Sequence, residues 1–491
     1  MDTALLVDQS RLRRWHVDLA VRLSGRGAPA LLATADGAPL PSSVDLILSL
    51  EQLVRRLPGP RPSDRVEPLE TAADPRPGRV LDLSVAGSGG PGALRLLYDG
   101  VPDEAALFGA LLAGRTPLLE IAEAGSARVL GRALPSTETA ESLHEAYESV
   151  VARAATLAVA VLSRAMAGPD PGPVAPASAG AAAVARYAGR NLAYAAVRWL
   201  YRLCTRAPHW RIGWRFVDGP DVYDRQGLGG PAWRDVPDPG LRFLADPFPA
   251  VWRGETWLLA EDFDHRTRKG IISAIPFGPN GPSGPPRPVL ETPWHLSYPF
   301  LIEEGGEIWM VPESSADSSV RLYRADPFPT RWVEEAVLLD GIELSDATIH
   351  RQDGRFWMFG TTRDGGGAPS DTLSLFMADA LAGPWRPHPA NPILIDASAA
   401  RPAGGLVRRG GRLWRPVQDC RGGYGRAVGL AEVTRLDEEG FSQIVRAVVR
   451  PGPEWPGRRL HTLNRAGRLE CIDGSAVSSR GPIPSGRIRA F

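Results

Sequence analysis

The spacing of apolar residues divides the chain into an N-terminal part with helical periods and a C-terminal part without them. Apolar positions recur at helical spacing within residues 12–23 and 137–166, and short apolar runs such as 28–35 and 80–84 alternate with these stretches. Helical stretches that alternate with short β-like runs are typical of α/β domains. We therefore predict an α/β domain over residues 1–166.

A linker and one further helix are predicted for residues 167–208. The stretch 168–180, GPDPGPVAPASAG, has the composition of a linker. Residues 181–204 follow, with these apolar side chains at helical spacing: Val184, Tyr187, Leu192, Tyr194, Val197 and Leu200. This pattern favours a helix that packs on the protein over a helix that lies on a membrane surface.

From residue 209 onward the chain repeats at intervals of about 50 residues. Four tryptophans each follow a glycine by three positions: Trp257, Trp309, Trp357 and Trp414. A fifth copy surrounds Gly467, with Glu470 in the place of the tryptophan. Because each copy has the pattern strand, glycine turn, strand, we predict a five-bladed β-propeller over residues 209–491. Residues 209–217 are expected to close the ring against the last blade.

The repeat also predicts which side chains meet at one end of the propeller, because residues equidistant from a hairpin turn lie side by side. Positions eleven before and four after each tryptophan, or close to that register, carry these residues: Asp246, Glu261, Tyr298, Glu313, Asp346, Arg401, Gln418, Asp419, Tyr424, His461 and Asp473. Any one of them can simply cap a strand end. Several carboxylates together repel one another unless a cation, a substrate or a shared proton compensates them, so the set indicates a ligand site.

Composition excludes several classes of protein. The 56 Lys and Arg residues balance 56 Asp and Glu residues, which argues against nucleic acid or an anionic membrane as the main partner. The three cysteines form no CxxC pair, so neither a disulfide framework nor a zinc–thiolate site is supported. The N-terminus does not have the pattern of a signal peptide, and no apolar stretch reaches the length of a membrane span.

These exclusions set further expectations. We expect a protein in the cytoplasm that has no membrane span and that binds a sugar or glycoconjugate rather than nucleic acid. We expect no cofactor, although carboxylates in the propeller channel are compatible with a divalent cation. The sequence leaves the oligomeric state open.

Five blade motifs carry a resemblance to a known family: ADPF, SYPF…PES, SDATI…FGTT, RPAGG…RPVQDC…YG and HT…DG. Residues 205–491 resemble the five-bladed propeller at the N-terminal end of plant glucosamine inositolphosphorylceramide transferases. Bacterial homologues carry this propeller without the glycosyltransferase domain, and we expect a chain of that bacterial kind. The chain also resembles, more distantly, the propeller glycoside hydrolases.

The resemblance to the hydrolases implies roles for three acids. Asp246 matches the base or nucleophile of the first blade, and Asp346 matches the Asp that orients substrate or tunes a pKa. The general acid of the fourth blade does not transfer, because Gln418 and Asp419 stand there. The nearest available acid is Glu313, which we take as the candidate proton donor.

The N-terminal third resembles the α/β domain of formyltransferases, in stretches such as LRRWHVDLAVRLSG and PSSVDLILSLE. Formyl transfer in that family depends on an Asn-His-Asp set. The chain has neither histidine nor asparagine between His16 and His144. The resemblance therefore implies a formyltransferase-like domain without formyl-transfer activity, which serves assembly or binds an unidentified ligand.

Three functions remain open at this point. The first is a glycan-processing enzyme that hydrolyses or transfers a glycosidic bond, in which Arg401 and Arg415 bind an acidic or phosphorylated part of the substrate. The second is a non-catalytic glycan-binding module of surface-polysaccharide or glycolipid biosynthesis. The third is a scaffold that binds a protein loop. We favour the enzyme.

Overall fold

A computed structural model of the chain describes residues 3–24, 31–34, 37–67, 79–87, 89–126, 128–166, 168–169, 172, 174–238 and 240–480. The chain divides into two compact units. The first comprises Met1–Ala196 together with the segments Asp364–Ala368 and Leu394–Asp396. The second comprises Val197–Arg363, Pro369–Ile393 and Ala397–Phe491.

The first unit is built on a six-stranded sheet. Its strands, in spatial order, are Leu31–Thr34, Thr3–Asp8, Arg79–Asp82, Leu94–Tyr98, Leu119–Glu123 and Val129–Ala133. The first four pair in parallel and the last two antiparallel. The helices that accompany the sheet are Arg14–Ser24, Ser42–Arg55, Glu104–Leu112 and Leu143–Ser163. The unit is therefore an α/β domain; residues 28–30 and 35 of the predicted run 28–35 lie outside the described residues.

The helix Leu143–Ser163 forms the centre of this unit. Its Tyr147, Val150 and Leu157 side chains are buried in one apolar core with residues of the sheet. Within the described residues this is the one helix long and apolar enough to cross a membrane, and 67% of its most apolar window is buried inside the unit. Burial against the sheet explains the apolar composition of this helix.

The helix Ala181–Cys204 packs on the protein only over its first half. Ala183 and Tyr187 are buried, whereas every residue from 192 to 204 is exposed. The expectation of a packing helix is therefore wrong for the second half. Helical spacing shows that a helix is amphipathic, but not which surface covers its apolar side.

The second unit is a five-bladed β-propeller, as the sequence predicts. The first blade consists of Arg242–Trp252, Glu255–Asp264 and Lys269–Gly278 with the edge strands Gly281–Pro282 and Arg287–Leu290, and the second of Ser297–Glu304, Glu307–Glu313, Ser319–Ala325 and Trp332–Asp340. The third consists of Leu344–Gln352, Arg355–Thr362, Thr372–Ala378 and Arg386–Pro387, and the fourth of Val407–Arg409, Arg412–Asp419, Ala427–Asp437 and Gly440–Val449. The fifth consists of Leu460–Ala466, Leu469–Ser475, Trp210–Phe216 and Arg234–Asp235.

The ring is closed by a strand from the start of the unit. Trp210–Phe216 pairs antiparallel with Leu469–Ser475, so the fifth blade contains both ends of the propeller sequence. This confirms the predicted closure by residues 209–217. Closing the ring through hydrogen bonds removes an exposed sheet edge at that place.

The fifth copy of the repeat has a different register from the one predicted. In the first four hairpins both turn residues have positive φ, and glycine takes the second position, as in Arg253–Gly254. In the fifth hairpin Gly467 takes the first position, between Ala466 and Leu469. Cys471, and not Glu470, therefore occupies the position of the tryptophans.

Glu470 lies on the other face of its strand. Its Oε2 lies 2.7 Å from Nε of Arg215, and both side chains are buried. The acid that the sequence placed at a tryptophan position is thus half of a buried ion pair inside the fifth blade.

Candidate functional site

In four blades, a β-bulge at the start of the first strand places a polar residue at the same end of the propeller. The pairing register shifts between Ala245 and Phe248, and equivalent shifts occur in the second, third and fifth blades. The residues at the first bulge position are Asp246, Tyr298, Asp346 and His461. The first three have positive φ angles of 49°, 42° and 55°. Positive φ is costly for such residues, and bulges that re-aim side chains are frequent next to functional sites.

Carboxylates bind the backbone of these bulges from blade to blade. The Asp246 N–H donates to Oδ2 of Asp473 at 2.9 Å, and the Tyr298 N–H donates to Oδ2 of Asp246 at 3.2 Å. The Asp346 N–H donates to Oε2 of Glu313 at 3.1 Å. These acids therefore hold the bulges in place in addition to any chemistry that they perform.

We call five acids the carboxylate cluster: Asp246, Glu261, Glu313, Asp346 and Asp473. They are buried or nearly buried, and their charges influence one another. The positive groups nearest to them are Arg401 and His461.

His461 lies between two of these acids. Its Nε2 is 3.2 Å from Oδ1 of Asp246, and its Nδ1 is 2.7 Å from Oδ1 of Asp473. Burial acts to lower the pKa of His461, but the two carboxylates outweigh it and raise this pKa to about 10. The Thr462 hydroxyl also donates to Oδ1 of Asp246 at 3.0 Å. Burial acts to raise the pKa of Asp246, but the charge of His461 and the hydrogen bonds from His461 and Thr462 lower it.

Arg401 binds the acids on the other side of the cluster. Its Nε donates to Oδ2 of Asp346 at 2.6 Å, and its Nη2 lies 3.5 Å from Oε2 of Glu313. Its Nη1 donates to Ser370 Oγ at 3.2 Å, so all three nitrogens face protein acceptors. Gln418 Nε2 donates to Oδ2 of Asp346 at 2.8 Å. Asp346 is therefore fixed by two side chains of the fourth blade.

Glu261 has a different environment from the other acids. It pairs with Ala245 across the ladder, next to Asp246, and its side chain is 10% exposed. Its Oε1 lies 3.5 Å from Nε2 of His295. Burial first, and then the negative charge of Asp246, raise the pKa of Glu261 well above its ordinary value. Glu261 therefore holds a proton more tightly than an exposed glutamate does.

His295, which no sequence pattern predicted, is neutral and faces Glu261. The Gly270 N–H donates to Nδ1 of His295 at 2.9 Å, so the ring proton is on Nε2 and points toward Glu261. Burial lowers the pKa of His295, which keeps the ring uncharged. Its position in the loop before the second blade has no counterpart in the repeat, and the sequence offers no signal for it.

Aromatic rings line the cluster on the side of His461. The Trp210 ring lies 4.2 Å from the His461 ring, and the Tyr424 ring lies 5.2 Å from it. The Arg401 guanidinium lies over the Tyr424 ring at 4.8 Å. Trp210 was missed because it precedes the repeats and joins the last blade only through ring closure.

Three predicted site residues are directed elsewhere. The Tyr298 side chain is fully buried, and its hydroxyl lies 2.8 Å from Thr348 Oγ1. Asp419 accepts hydrogen bonds from the Arg421 guanidinium at 2.9 and 2.8 Å. The prediction that Arg415 binds substrate is wrong. Its guanidinium is buried and donates to the carbonyls of Ala399 and Ala400 and to Gln443 Oε1.

The residues Asp246, His461 and Asp473 bring ligand-type atoms within 4.8 Å of one another. This spacing is compatible with a divalent cation, but a histidine that binds a cation must be neutral. The two carboxylates instead favour the protonated imidazole. A proton and a cation therefore compete for the same position.

Comparison with known proteins finds sequences similar to the propeller. Residues 235–472 match the family model described as "Glucosamine inositolphosphorylceramide transferase 1, N-terminal". The curated relative of this name from Oryza sativa subsp. japonica is 33% identical over 254 residues, which cover 50% of this chain and 34% of the relative. The relative from Arabidopsis thaliana is 32% identical over 251 residues, which cover 48% and 33%.

The resemblance of the propeller to the N-terminal region of these transferases is thus confirmed. The chain spans about a third of the length of these curated relatives. They are plant proteins, and they support neither a bacterial source nor a cytoplasmic location for this chain.

Solved structures of glycoside hydrolases are similar to part of the chain. A thermostable family-43 glycoside hydrolase is 13% identical with a TM-score of 0.33, over 44% of this chain and 78% of that one. Zg3597, a family 117 glycoside hydrolase from Zobellia galactanivorans, is 12% identical with a TM-score of 0.35, over 52% of this chain and 78% of that one. Nothing about activity follows from scores this low.

Proposed function

We propose that the propeller binds a sugar or glycoconjugate at the carboxylate cluster and catalyses acid–base chemistry on its glycosidic bond, by hydrolysis or transfer. One observation carries this proposal. Glu261 and Asp246 are neighbours whose environments move their pKa values in opposite directions. Such a pair divides into a proton donor and an ionised partner, which is the division of labour that glycosidic bond cleavage requires.

The proposed proton donor is Glu261. Its protonated carboxyl faces a neutral histidine rather than a cation. Glu313, the donor expected from the sequence, instead accepts hydrogen bonds from the Ser315 hydroxyl and the Asp346 N–H and lies 3.5 Å from the Arg401 guanidinium. We therefore assign proton donation to Glu261 in place of Glu313.

The proposed base or nucleophile is Asp246. The hydrogen bonds from Thr462 and Tyr298 and the charge of His461 stabilise its carboxylate. Asp346 acts as a positioning residue that holds Arg401 and Gln418. Trp210 and Tyr424 pack edge to face beside His461, with their ring centroids 5.9 Å apart.

The names of the relatives suggest which ligands to try first. The curated relatives are named glucosamine inositolphosphorylceramide transferases. Amino sugars, inositol phosphates and sugar-bearing lipids are therefore the first ligand classes to test with this chain.

A non-catalytic glycan-binding module is the second candidate, and one observation favours it. Asp246, Glu313 and Asp473 each bind a backbone N–H of a neighbouring bulge. Acids that hold the fold in this way need not perform catalysis.

Calorimetry of the full chain against the ligand classes above, followed by analysis of the same mixtures for products, distinguishes the two candidates. Saturable binding with product formation supports the enzyme. Saturable binding of glycans that are never cleaved or transferred supports the module. Absence of binding across the panel contradicts both.

For the first unit we propose a formyltransferase-like domain without formyl-transfer activity. His16 Nδ1 accepts the Arg13 N–H at 3.0 Å, and burial lowers the pKa of His16 to about 3. His144 Nε2 lies 2.6 Å from Ser63 Oγ, inside the unit. Both histidines are thus buried and hydrogen-bonded within the unit. Incubation with a formyl-tetrahydrofolate donor and amino sugars is expected to give no formylated product, and formylation would contradict this assignment.

A further inference from the structure

The second half of the helix Ala181–Cys204 exposes a continuous apolar surface. All residues from 192 to 204 are exposed, and the large apolar side chains among them are between 41% and 74% exposed. Those that matter here are Leu192, Tyr194, Trp199, Leu200, Tyr201 and Leu203. Soluble proteins rarely expose so many large apolar side chains on one element unless something covers them.

The helix separates apolar from charged positions. Leu192, Trp199 and Leu203 follow one another at i, i+7 and i+11, so they share one side. Arg198 and Arg202 are four residues apart and lie together on another side. The helix is therefore amphipathic along its exposed half.

The charge of the helix has one sign. Its 24 residues include four arginines and no aspartate or glutamate, in a chain whose formal net charge is zero. The covering surface is therefore expected to be negatively charged. Tryptophan and tyrosine beside arginine are the side chains that prefer the boundary between lipid headgroups and acyl chains.

We propose that this half of the helix binds the surface of an anionic lipid bilayer and lies in the plane of the headgroups. It does not cross the bilayer, because four arginines make such a helix too polar to span. The proposal is independent of the chemistry at the carboxylate cluster.

The first half of the helix is attached to the first unit. The Tyr187 hydroxyl donates to Oε1 of Glu51 at 3.1 Å, and Arg190 Nη2 donates to the Leu112 carbonyl at 3.0 Å. Because the helix is already formed and attached, binding to a membrane does not have to order it first.

The test is flotation of the full chain with vesicles of phosphatidylcholine alone or with 30% phosphatidylglycerol. We expect binding to the anionic vesicles that is at least ten-fold tighter than to the neutral ones and that weakens at least ten-fold in high salt. We expect Leu200→Glu to weaken it by ten-fold or more. Leu53→Glu is the matched control, because Leu53 is 74% exposed on the helix Ser42–Arg55, and it is expected to bind like the wild type.

Two results would overturn the proposal. The first is equal binding of the wild type and of both Leu200→Glu and Trp199→Ala, with circular dichroism showing that the variants are folded. The second is a failure of the wild type to bind anionic vesicles while light scattering shows a dimer that Leu200→Glu dissociates. In that case a second copy of the chain covers this surface.

Discussion

Oε1 of Glu261 lies 3.5 Å from Nε2 of His295, and the Gly270 N–H fixes the proton of that ring on Nε2. Because His295 is uncharged, it brings no positive charge next to the buried Glu261 carboxyl. This relationship distinguishes Glu261 from Asp246, which faces His461. We therefore assign proton donation to Glu261 on the first blade.

Activity is expected to fall at alkaline pH as Glu261 loses its proton. Because burial and the charge of Asp246 raise the pKa of Glu261, the acid form persists above the pH at which an exposed glutamate ionises. The dependence of kcat/KM on pH measures this limb in the wild type. If the limb is unchanged in a Glu261→Asp variant that keeps some activity, another group is responsible for it.

Gly270→Ala is expected to disturb the pair of Glu261 and His295 and to leave the other acids in place. A Cβ at this position would lie 2.8 Å from both Oε1 of Glu261 and Cε1 of His295 and 2.6 Å from the Leu296 carbonyl. We expect kcat/KM to fall by about ten-fold or more, since small displacements of catalytic groups have effects of this size. Gly219→Ala is the control, because nothing lies within 4 Å of its Cβ. Equal losses in the two variants would contradict a local effect.

The fold is expected to become less stable between neutral and alkaline pH because His461 loses its proton. A pKa raised from 6.5 to about 10 means that the folded state holds this proton more tightly than the unfolded state. The contribution is complete below pH 6.5 and is lost as the pH rises through 10. Urea denaturation at pH 7 and pH 10.5 should show a loss of about 2–5 kcal/mol.

The same comparison in His461→Gln isolates this contribution. The variant should be less stable at pH 7 and should lose less stability on going to pH 10.5. A loss equal to that of the wild type would assign the pH dependence to other groups.

Chelation is expected to leave the protein unchanged at neutral pH. The protonated His461 already balances Asp246 and Asp473, so a cation gains little by replacing the proton. The thermal midpoint should be the same in EDTA and in millimolar calcium or zinc. A midpoint that rises with the added metal and falls with EDTA would instead show a cation site at these residues.

Loss of the Arg215–Glu470 ion pair is expected to destabilise the fifth blade. Both side chains are buried, and Arg215 also donates to the carbonyls of Leu228 and Gly229. Glu470→Gln leaves a buried guanidinium without its counter-charge, which typically costs about 3–5 kcal/mol. Urea denaturation measures the loss. Glu432→Gln is the control, because its ion-pair partners Arg412 and Arg446 are both exposed, and a similar loss in the two variants would contradict the argument.

The tryptophan repeat made the propeller predictable from the sequence, because four hairpins keep the same turn geometry. The fifth hairpin differs from these four. Gly467 occupies its first turn position, so Cys471 rather than Glu470 takes the position of the tryptophan. A shift of one residue is invisible in sequence when the marker tryptophan is absent.

The carboxylate cluster was predictable for the same reason, but its internal assignments were not. Bulges offset the pairing, so that Glu261 faces Ala245 rather than Asp246. His295 comes from a loop outside the repeat. Arg415 follows Trp414 directly, and only the fold shows that its guanidinium meets buried carbonyls instead of the cluster.

The rate of cleavage by Glu261→Gln on two glycosides of the same sugar tests the assignment of the proton donor most directly. One glycoside has a leaving group that needs protonation, such as an alkyl alcohol, and the other has a dinitrophenol that does not. We predict that the variant loses at least about 100-fold on the first and less than about ten-fold on the second, while the exposed Glu303→Gln behaves like the wild type. Equal losses on both substrates, or wild-type rates on the alkyl glycoside, would contradict proton donation by Glu261.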